Sequence, residues 1–163
     1  MNFISTRGGE KVNGAAKAIV KGLADDGGLF VPESFPPVTG EELEAMLPLS
    51  YPERAAKILG KYLDDYDGGE LLSALEAAYS KFEGDPAPLV KIDDGIYLLE
   101  LWHGPTCAFK DMALTVLPYL LRKGSDICGI KEKILILVAT SGDTGKAALE
   151  GFKDAEGIKI MVF

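Results

Sequence analysis

The sequence predicts an α/β protein in which a small α+β domain precedes the beginning of a parallel-sheet domain. Three observations support this expectation. Helical periods cluster over 39–83, the breaker run GDPAP follows at 84–88, and the aliphatic run KILILVA at 133–139 is typical of a strand buried in a parallel sheet. We therefore expect one domain over 1–84 and a second over 85–163.

The leading domain is expected to begin with short elements and to continue as a helical cluster. Thr39 with Glu42, and Ser50 with Glu53, have the spacing of capping boxes, which predicts a helix start at each place. The charged residues of the cluster show no spacing that indicates a catalytic pair. The other expected elements are a strand at 2–7, a helix at 14–23, a short strand at 29–31 and a helix over 71–82.

The second domain is expected to open with a hairpin and a helix. Two β-prone runs, at 89–92 and 96–102, flank a DDG turn in which Gly95 is available for positive φ. A helix is expected over 111–123 and should end at Gly124. Proline lacks a backbone N–H, so Pro118 should kink this helix or move its start nearer to itself.

The remaining residues have the pattern of a parallel β-α-β unit. Its parts are a strand at 133–139, a turn at 140–145, a helix over 146–153 and a strand at 157–163. Two parallel strands leave much apolar surface uncovered, so we expect the chain to be the first part of a longer polypeptide. The open edge of the last strand favours a homodimer with a second copy of the chain.

Composition indicates a globular protein: 47% of the 163 residues are hydrophobic and the formal net charge is −8. This charge argues against nucleic-acid binding, which requires clustered Lys and Arg. No stretch approaches the roughly 20 apolar residues that span a membrane, and no signal peptide is evident, so a cytoplasmic location is expected. Cys107 and Cys128, with one histidine, indicate neither a disulfide framework nor a metal site.

The segment LLELWHGPTCAFKDMAL at 98–114 places a lysine after an apolar run and a Gly-Pro turn, at an expected helix start. An amine held among apolar groups is desolvated, which favours its neutral, nucleophilic form. Lys110 is therefore a candidate Schiff-base lysine, and the alternative is a surface lysine whose stem covers the core. Asp111 is expected to cap the helix or favour its start by charge. A nucleophilic pair of His103 and Cys107 is disfavoured because no orienting partner is evident.

A second loop, TSGDTGK at 140–146, joins an expected strand to a helix N-terminus, where free N–H groups can bind an anion. The alternative is a purely structural cap supplied by Ser141, Asp143 or Thr144. We expect the amine of Lys110 to point into a cleft beside this loop.

The run HGPTCAFKD resembles the lysine motif of threonine synthases, and STRGGEK with GLADDGGLFVPE is similar to their leading segment. The resemblance implies fold type II, the tryptophan-synthase-β-like fold, with pyridoxal 5'-phosphate as cofactor. It implies that Lys110 holds this cofactor as a Schiff base and acts as acid and base, and that Thr106 and Asp143 lie near it. The implied substrate-binding residues are Thr140, Ser141, Gly142, Asp143 and Thr144.

The activity that this resemblance implies is conversion of O-phosphohomoserine and water to threonine and phosphate. Two alternatives stay open: another pyridoxal-phosphate enzyme, such as a threonine dehydratase or a cysteine synthase, and a non-catalytic module that binds a phosphate-bearing ligand. The family's glycine-rich cradle for the cofactor phosphate is expected beyond residue 163. We therefore expect the 163-residue polypeptide alone not to make threonine.

Overall fold

The computed structural model describes all residues, Met1–Phe163, which form two compact units. The first unit comprises Met1–Leu75 and Tyr119–Lys131, and the second comprises Glu76–Pro118 and Glu132–Phe163. Both helices and strands are present, as the expected α/β class requires. None of the helices has the length and apolar character that crossing a membrane demands. The functional boundary expected near residue 84 remains a prediction.

The first unit contains a three-stranded antiparallel sheet in which β1 (Asn2–Ser5) lies between β2 (Lys11–Asn13) and β3 (Phe30–Pro32). Helix α1 (Ala15–Lys21) follows β2. Strand β2 was not expected, because only Val12 of its three residues is buried and so short a segment shows no alternation.

Three helices continue the first unit: α2 (Gly40–Met46), α3 (Tyr51–Gly60) and α4 (Gly68–Tyr79), whose last residues belong to the second unit. The capping box at α2 is confirmed, since the Glu42 N–H donates to Thr39 Oγ1 at 3.2 Å and the Thr39 N–H donates to Glu42 at 2.8 Å. The α3 start is confirmed as well.

The single helix expected over 111–123 is divided in two, and the alternative of a helix start near Pro118 is confirmed. Two helices are present, α5 (Asp111–Leu114) and α6 (Leu117–Ile127), and Pro118 lies in the first turn of α6, where its missing N–H leaves no bond unmade. Helix α6 also continues through Gly124 instead of ending there. A Cβ on Gly124 would lie 2.7 Å from the hydroxyl of Tyr66, so glycine here permits close packing and does not stop the helix.

In the second unit, β4 (Leu89–Asp93) and β5 (Ile96–Leu99) form the expected antiparallel hairpin, with Gly95 at φ 73°. Strands β6 (Ile134–Val138) and β7 (Ile158–Val162) pair in parallel, and α7 (Asp143–Gly151) connects them. The β-α-β unit is therefore confirmed.

Two details of the β-α-β unit differ from expectation. Helix α7 begins at Asp143, three residues before the expected start, because Gly142 is already its N-cap residue. Burial on both faces of β6 is also wrong: Leu135 is 55% and Leu137 61% exposed, because this sheet has two strands and alternate side chains remain uncovered.

Candidate active site

Lys110 is the N-cap residue of α5, with φ −65° and ψ −22°. Its side chain is half-buried, and Nζ lies 4.1 Å from the centroid of the Phe109 ring, a cation–π distance. The amine makes no hydrogen bond or ion pair. A primary amine that no acceptor engages is available for covalent chemistry with a carbonyl group.

The carboxylate next to this lysine does not cap the helix. Asp111 is 1% exposed, and α5 has no side-chain cap. Instead, the Thr106 N–H donates to Asp111 Oδ2 at 2.8 Å, and Thr106 Oγ1 donates to Asp111 Oδ1 at 2.7 Å. The cap alternative is therefore wrong, because the chain turn before α5 brings two donors of one residue onto the carboxylate, whereas the position of Asp111 in the first turn agrees with the charge alternative. A cofactor contact by Thr106 stays a prediction.

The loop at 140–146 ends in the N-terminus of α7. Gly142 is the N-cap residue, and no side chain supplies a cap hydrogen bond, so the structural-cap alternative is wrong. The N–H groups of Gly145 and Lys146 donate to the Gly142 carbonyl, whereas those of Asp143 and Thr144 have no acceptor. Free N–H groups at a helix start are suited to an anionic group such as a carboxylate.

Close packing on glycine shapes the same loop. A Cβ on Gly145 would lie 2.4 Å from Cγ2 of Thr140, so the threonine side chain sits directly over the first turn of α7. Thr140 Oγ1 also accepts a long hydrogen bond, of 3.4 Å, from the Gly142 N–H. Ser141, Gly142 and Asp143 are exposed, and Thr144 is half-buried. Their predicted roles in substrate binding remain predictions.

Helices α5 and α7 pack together within the second unit, and this contact was not expected. It depends on Gly151, where an added Cβ would lie 2.1 Å from the carbonyl oxygen of Leu114. An isolated glycine in a helical pattern was the available signal for such an approach. The helix that follows Lys110 and the helix that follows the 140–146 loop are thus neighbours. No hydrogen bond joins Lys110 to the loop, and the cleft position of its amine stays a prediction.

His103 has a partner that the sequence did not indicate. Its Nε2 lies 2.6 Å from Oε2 of Glu100, and both side chains are half-buried. Cys107 is an exposed free thiol, and the imidazole is paired with Glu100 instead. The two residues therefore form no nucleophilic pair. The three-residue spacing of Glu100 and His103 falls outside any helix, so it carried no periodic signal.

Similarity to known proteins matches these observations. A family model described as threonine synthase N terminus matches residues 2–79. Threonine synthase of Schizosaccharomyces pombe is 35% identical over 99% of this chain, and that of Pseudomonas aeruginosa is 38% identical over 99%. The chain covers 33% and 34% of those two proteins, respectively. It thus spans about a third of the length of the relatives that it matches.

A crystal structure of pyridoxal-phosphate-bound threonine synthase from Brucella melitensis superimposes with a TM-score of 0.92 and 37% sequence identity. The match covers 99% of this chain and 35% of that one, and it confirms the expected fold class. Sequence and structure agree over nearly every residue. Over nearly all of its residues, the chain is therefore similar to the N-terminal third of threonine synthases.

Proposed function

We propose that this chain contributes the lysine-bearing part of a threonine synthase, which converts O-phosphohomoserine and water to L-threonine and phosphate. One observation carries the proposal: Lys110 presents an amine without any acceptor, next to a buried carboxylate that holds the loop around it. The solved Brucella threonine synthase that the chain resembles has pyridoxal phosphate bound.

The residues present fit this cofactor. Pyridoxal phosphate has an aldehyde, which requires a primary amine that is not engaged elsewhere, and Lys110 Nζ meets that requirement. Thr106 and Asp143 are the further residues that we propose to lie near the cofactor. When bound, pyridoxal phosphate supplies an electron sink for negative charge on substrate carbons.

The chain's own groups then have distinct tasks. Lys110 would hold the cofactor through Nζ, and, once the substrate's amine has displaced it, the freed Lys110 amine would take a proton from one substrate carbon and deliver it to another. The free N–H groups of Asp143 and Thr144 bind the substrate carboxylate, since they lie at the positive end of α7. Thr140, Ser141 and Gly142 complete this substrate loop.

Borohydride trapping tests the assignment of Lys110. We expect the purified chain, mixed with pyridoxal phosphate and reduced, to carry the adduct on Lys110 when its peptides are analysed by mass spectrometry. Lys110→Ala should lose the adduct, whereas Lys153→Ala, which removes an exposed amine after α7, should retain it. A wild-type chain labelled equally on many lysines would contradict the proposal and favour a non-catalytic role.

Phosphate release tests the reaction itself. In the protein whose N-terminal third these residues match, Lys110→Ala should abolish release of inorganic phosphate from O-phosphohomoserine. Lys153→Ala should leave that release unchanged. Retained turnover in Lys110→Ala would assign the chemistry to another residue.

We also propose a functional division near residue 84, with the leading domain over 1–84 and the cofactor domain over 85–163. The family match that ends at residue 79 and the Pro/Gly run after it support this division. Association of two copies through the open edge of the β6–β7 sheet is a further part of the proposal, which sedimentation of the purified chain would decide.

A further inference from the structure

Asp111 is among the most deeply buried side chains of the chain, although it carries a carboxylate. Burying a carboxylate is unfavourable unless hydrogen bonds replace its water. Here both replacements come from Thr106, whose N–H donates to Oδ2 at 2.8 Å and whose hydroxyl donates to Oδ1 at 2.7 Å. An asparagine would offer one acceptor oxygen instead of two, so this arrangement requires the acid.

These two hydrogen bonds, the Thr106–Asp111 clasp, close a loop that contains Lys110. The loop is tightly formed: a Cβ on Gly104 would lie 2.5 Å from both Cβ and Oδ2 of Asp111. Cys107 has φ 59°, a left-handed conformation that residues with side chains seldom adopt. Such a conformation persists only where the surrounding contacts hold it. The clasp is the contact that spans this residue.

The main chain on the other side of Lys110 is held as well. Thr115 Oγ1 donates to the Asp111 carbonyl at 2.7 Å, and the Tyr79 hydroxyl donates to the Met112 carbonyl at 3.0 Å. Thus the backbone around Lys110 is bound from both directions, while its amine is engaged by no acceptor. A fixed backbone with a free amine suits a lysine that must meet a carbonyl carbon at one position.

We propose that Asp111 is a positioning residue: its clasp on Thr106 determines where the Lys110 amine is presented to a carbonyl compound. The inference rests on the proposed function, because it assumes that Lys110 reacts with pyridoxal phosphate. In this proposal both hydrogen-bond donors of Thr106 bind Asp111. Asp111 itself does not have to contact the cofactor.

Three variants of the clasp test this proposal. Asp111→Asn removes one acceptor, Thr106→Val removes the hydroxyl donor, and Thr106→Ser keeps both donors. We expect the first two to slow the borohydride-trapped adduct at Lys110 by about tenfold or more, since small displacements of a reacting group have effects of this size. Thr106→Ser should slow the adduct less than Thr106→Val does, because it keeps the hydroxyl donor to Asp111.

A second readout needs no cofactor. Trace labelling with acetic anhydride, resolved by peptide mass spectrometry, gives the reactivity of Lys110 relative to the exposed Lys153. A loosened loop should raise this ratio in Asp111→Asn and Thr106→Val while adduct formation slows. A residue with a merely structural role would not move the two readouts in opposite directions.

Ile158→Val is the stability control, because it trims a buried side chain in β7 and leaves the clasp intact. It should lower the thermal midpoint without slowing the adduct. Unchanged adduct rates and labelling ratios in Asp111→Asn and Thr106→Val would overturn the positioning role. If the wild-type chain formed no adduct on Lys110, the proposed function would fail. In that case the labelling ratio alone would test the positioning role of Asp111. A higher ratio in Asp111→Asn would support that role, and an unchanged ratio would overturn it.

Discussion

Two aspartates, one in each compact unit, organise loops in different ways. Asp26 in the first unit accepts hydrogen bonds from Ser5 Oγ at 2.6 Å and from the N–H groups of Gly28 and Gly9, both at 2.8 Å. Asp111 in the second unit accepts both of its bonds from Thr106. Asp26 therefore joins two separate loops, whereas Asp111 closes one loop on itself.

The contents of the loops explain the difference. The donors to Asp26 come from the STRGG and DDGG segments, where Arg7 donates to the Asp26 carbonyl at 3.0 Å and Lys21 is paired with Asp25 at 2.9 Å. No reactive group is left free there. The loop that Asp111 closes contains Lys110, whose amine has no acceptor. Similar hydrogen bonds thus join two loops in the first unit and, in the second unit, close one loop around a lysine whose amine has no acceptor.

The largest expected effect concerns the glycine beside each aspartate. A Cβ on Gly28 would lie 2.1 Å from Ser5 Oγ and 3.0 Å from Asp26 Oδ1, and a Cβ on Gly104 would lie 2.5 Å from Asp111. Overpacking of this kind should lower the free energy of unfolding by about 2 kcal/mol in both Gly28→Ala and Gly104→Ala, measured by urea denaturation.

Only one of these two variants should affect the lysine. Below the unfolding transition, Gly104→Ala should slow the trapped adduct on Lys110, because the added methyl displaces Asp111 from Thr106. Gly28→Ala should form the adduct at the wild-type rate. Equal slowing in both variants would mean that adduct formation follows overall stability, and the contrast between the two loops would be lost.

A smaller effect is expected at Asp26 itself. The hydrogen bond from Ser5, followed by that from the Gly28 N–H, lowers the pKa of Asp26 below its ordinary value of 3.8. Because the folded-state pKa is the lower one, this stabilisation is complete above the ordinary value and is lost as pH falls through the folded-state pKa. Asp26→Asn should therefore have a lower thermal midpoint than the wild-type chain at neutral pH.

The pH profile gives the matching control. Thermal midpoints followed from pH 6 down through the acid range should converge for wild-type and Asp26→Asn chains, as the wild-type carboxylate becomes protonated. Adduct formation on Lys110 at neutral pH should be the same in both. A constant gap between the two midpoints at every pH would show that the charge of Asp26 contributes nothing.

Local signals in the sequence predicted much of this architecture. A capping box needs only two residues three positions apart, so Thr39 and Glu42 sufficed to place α2. The aliphatic runs predicted the β-α-β unit. The lysine motif drew attention to Lys110, whose role stays a prediction. The role of Asp111 was not predictable in this way, because its partner Thr106 reaches it only through a turn with Cys107 at positive φ. Spacing alone favoured the helix-start assignment.

Contacts between secondary-structure elements were the second feature that could not be predicted from the sequence. Gly151 and Gly124 both lie inside helices, where sequence rules predict a cost or a helix end. In the structure both are sites of close approach, Gly151 to the Leu114 carbonyl and Gly124 to the Tyr66 hydroxyl. Neither approach is visible until the partner element is in place. The packing of α5 on α7 was therefore beyond sequence-level prediction.

The smallest expected effect separates stability from site geometry. Gly60 is the last residue of α3, is exposed, and has no atom within 4 Å of an added Cβ. Gly60→Ala should therefore raise the free energy of unfolding by about 0.5 kcal/mol, because alanine loses less backbone entropy in a helix. Urea denaturation would measure this gain. The adduct rate on Lys110 should not change, and a faster rate in this variant would tie the amine's reactivity to global stability instead of to its own loop.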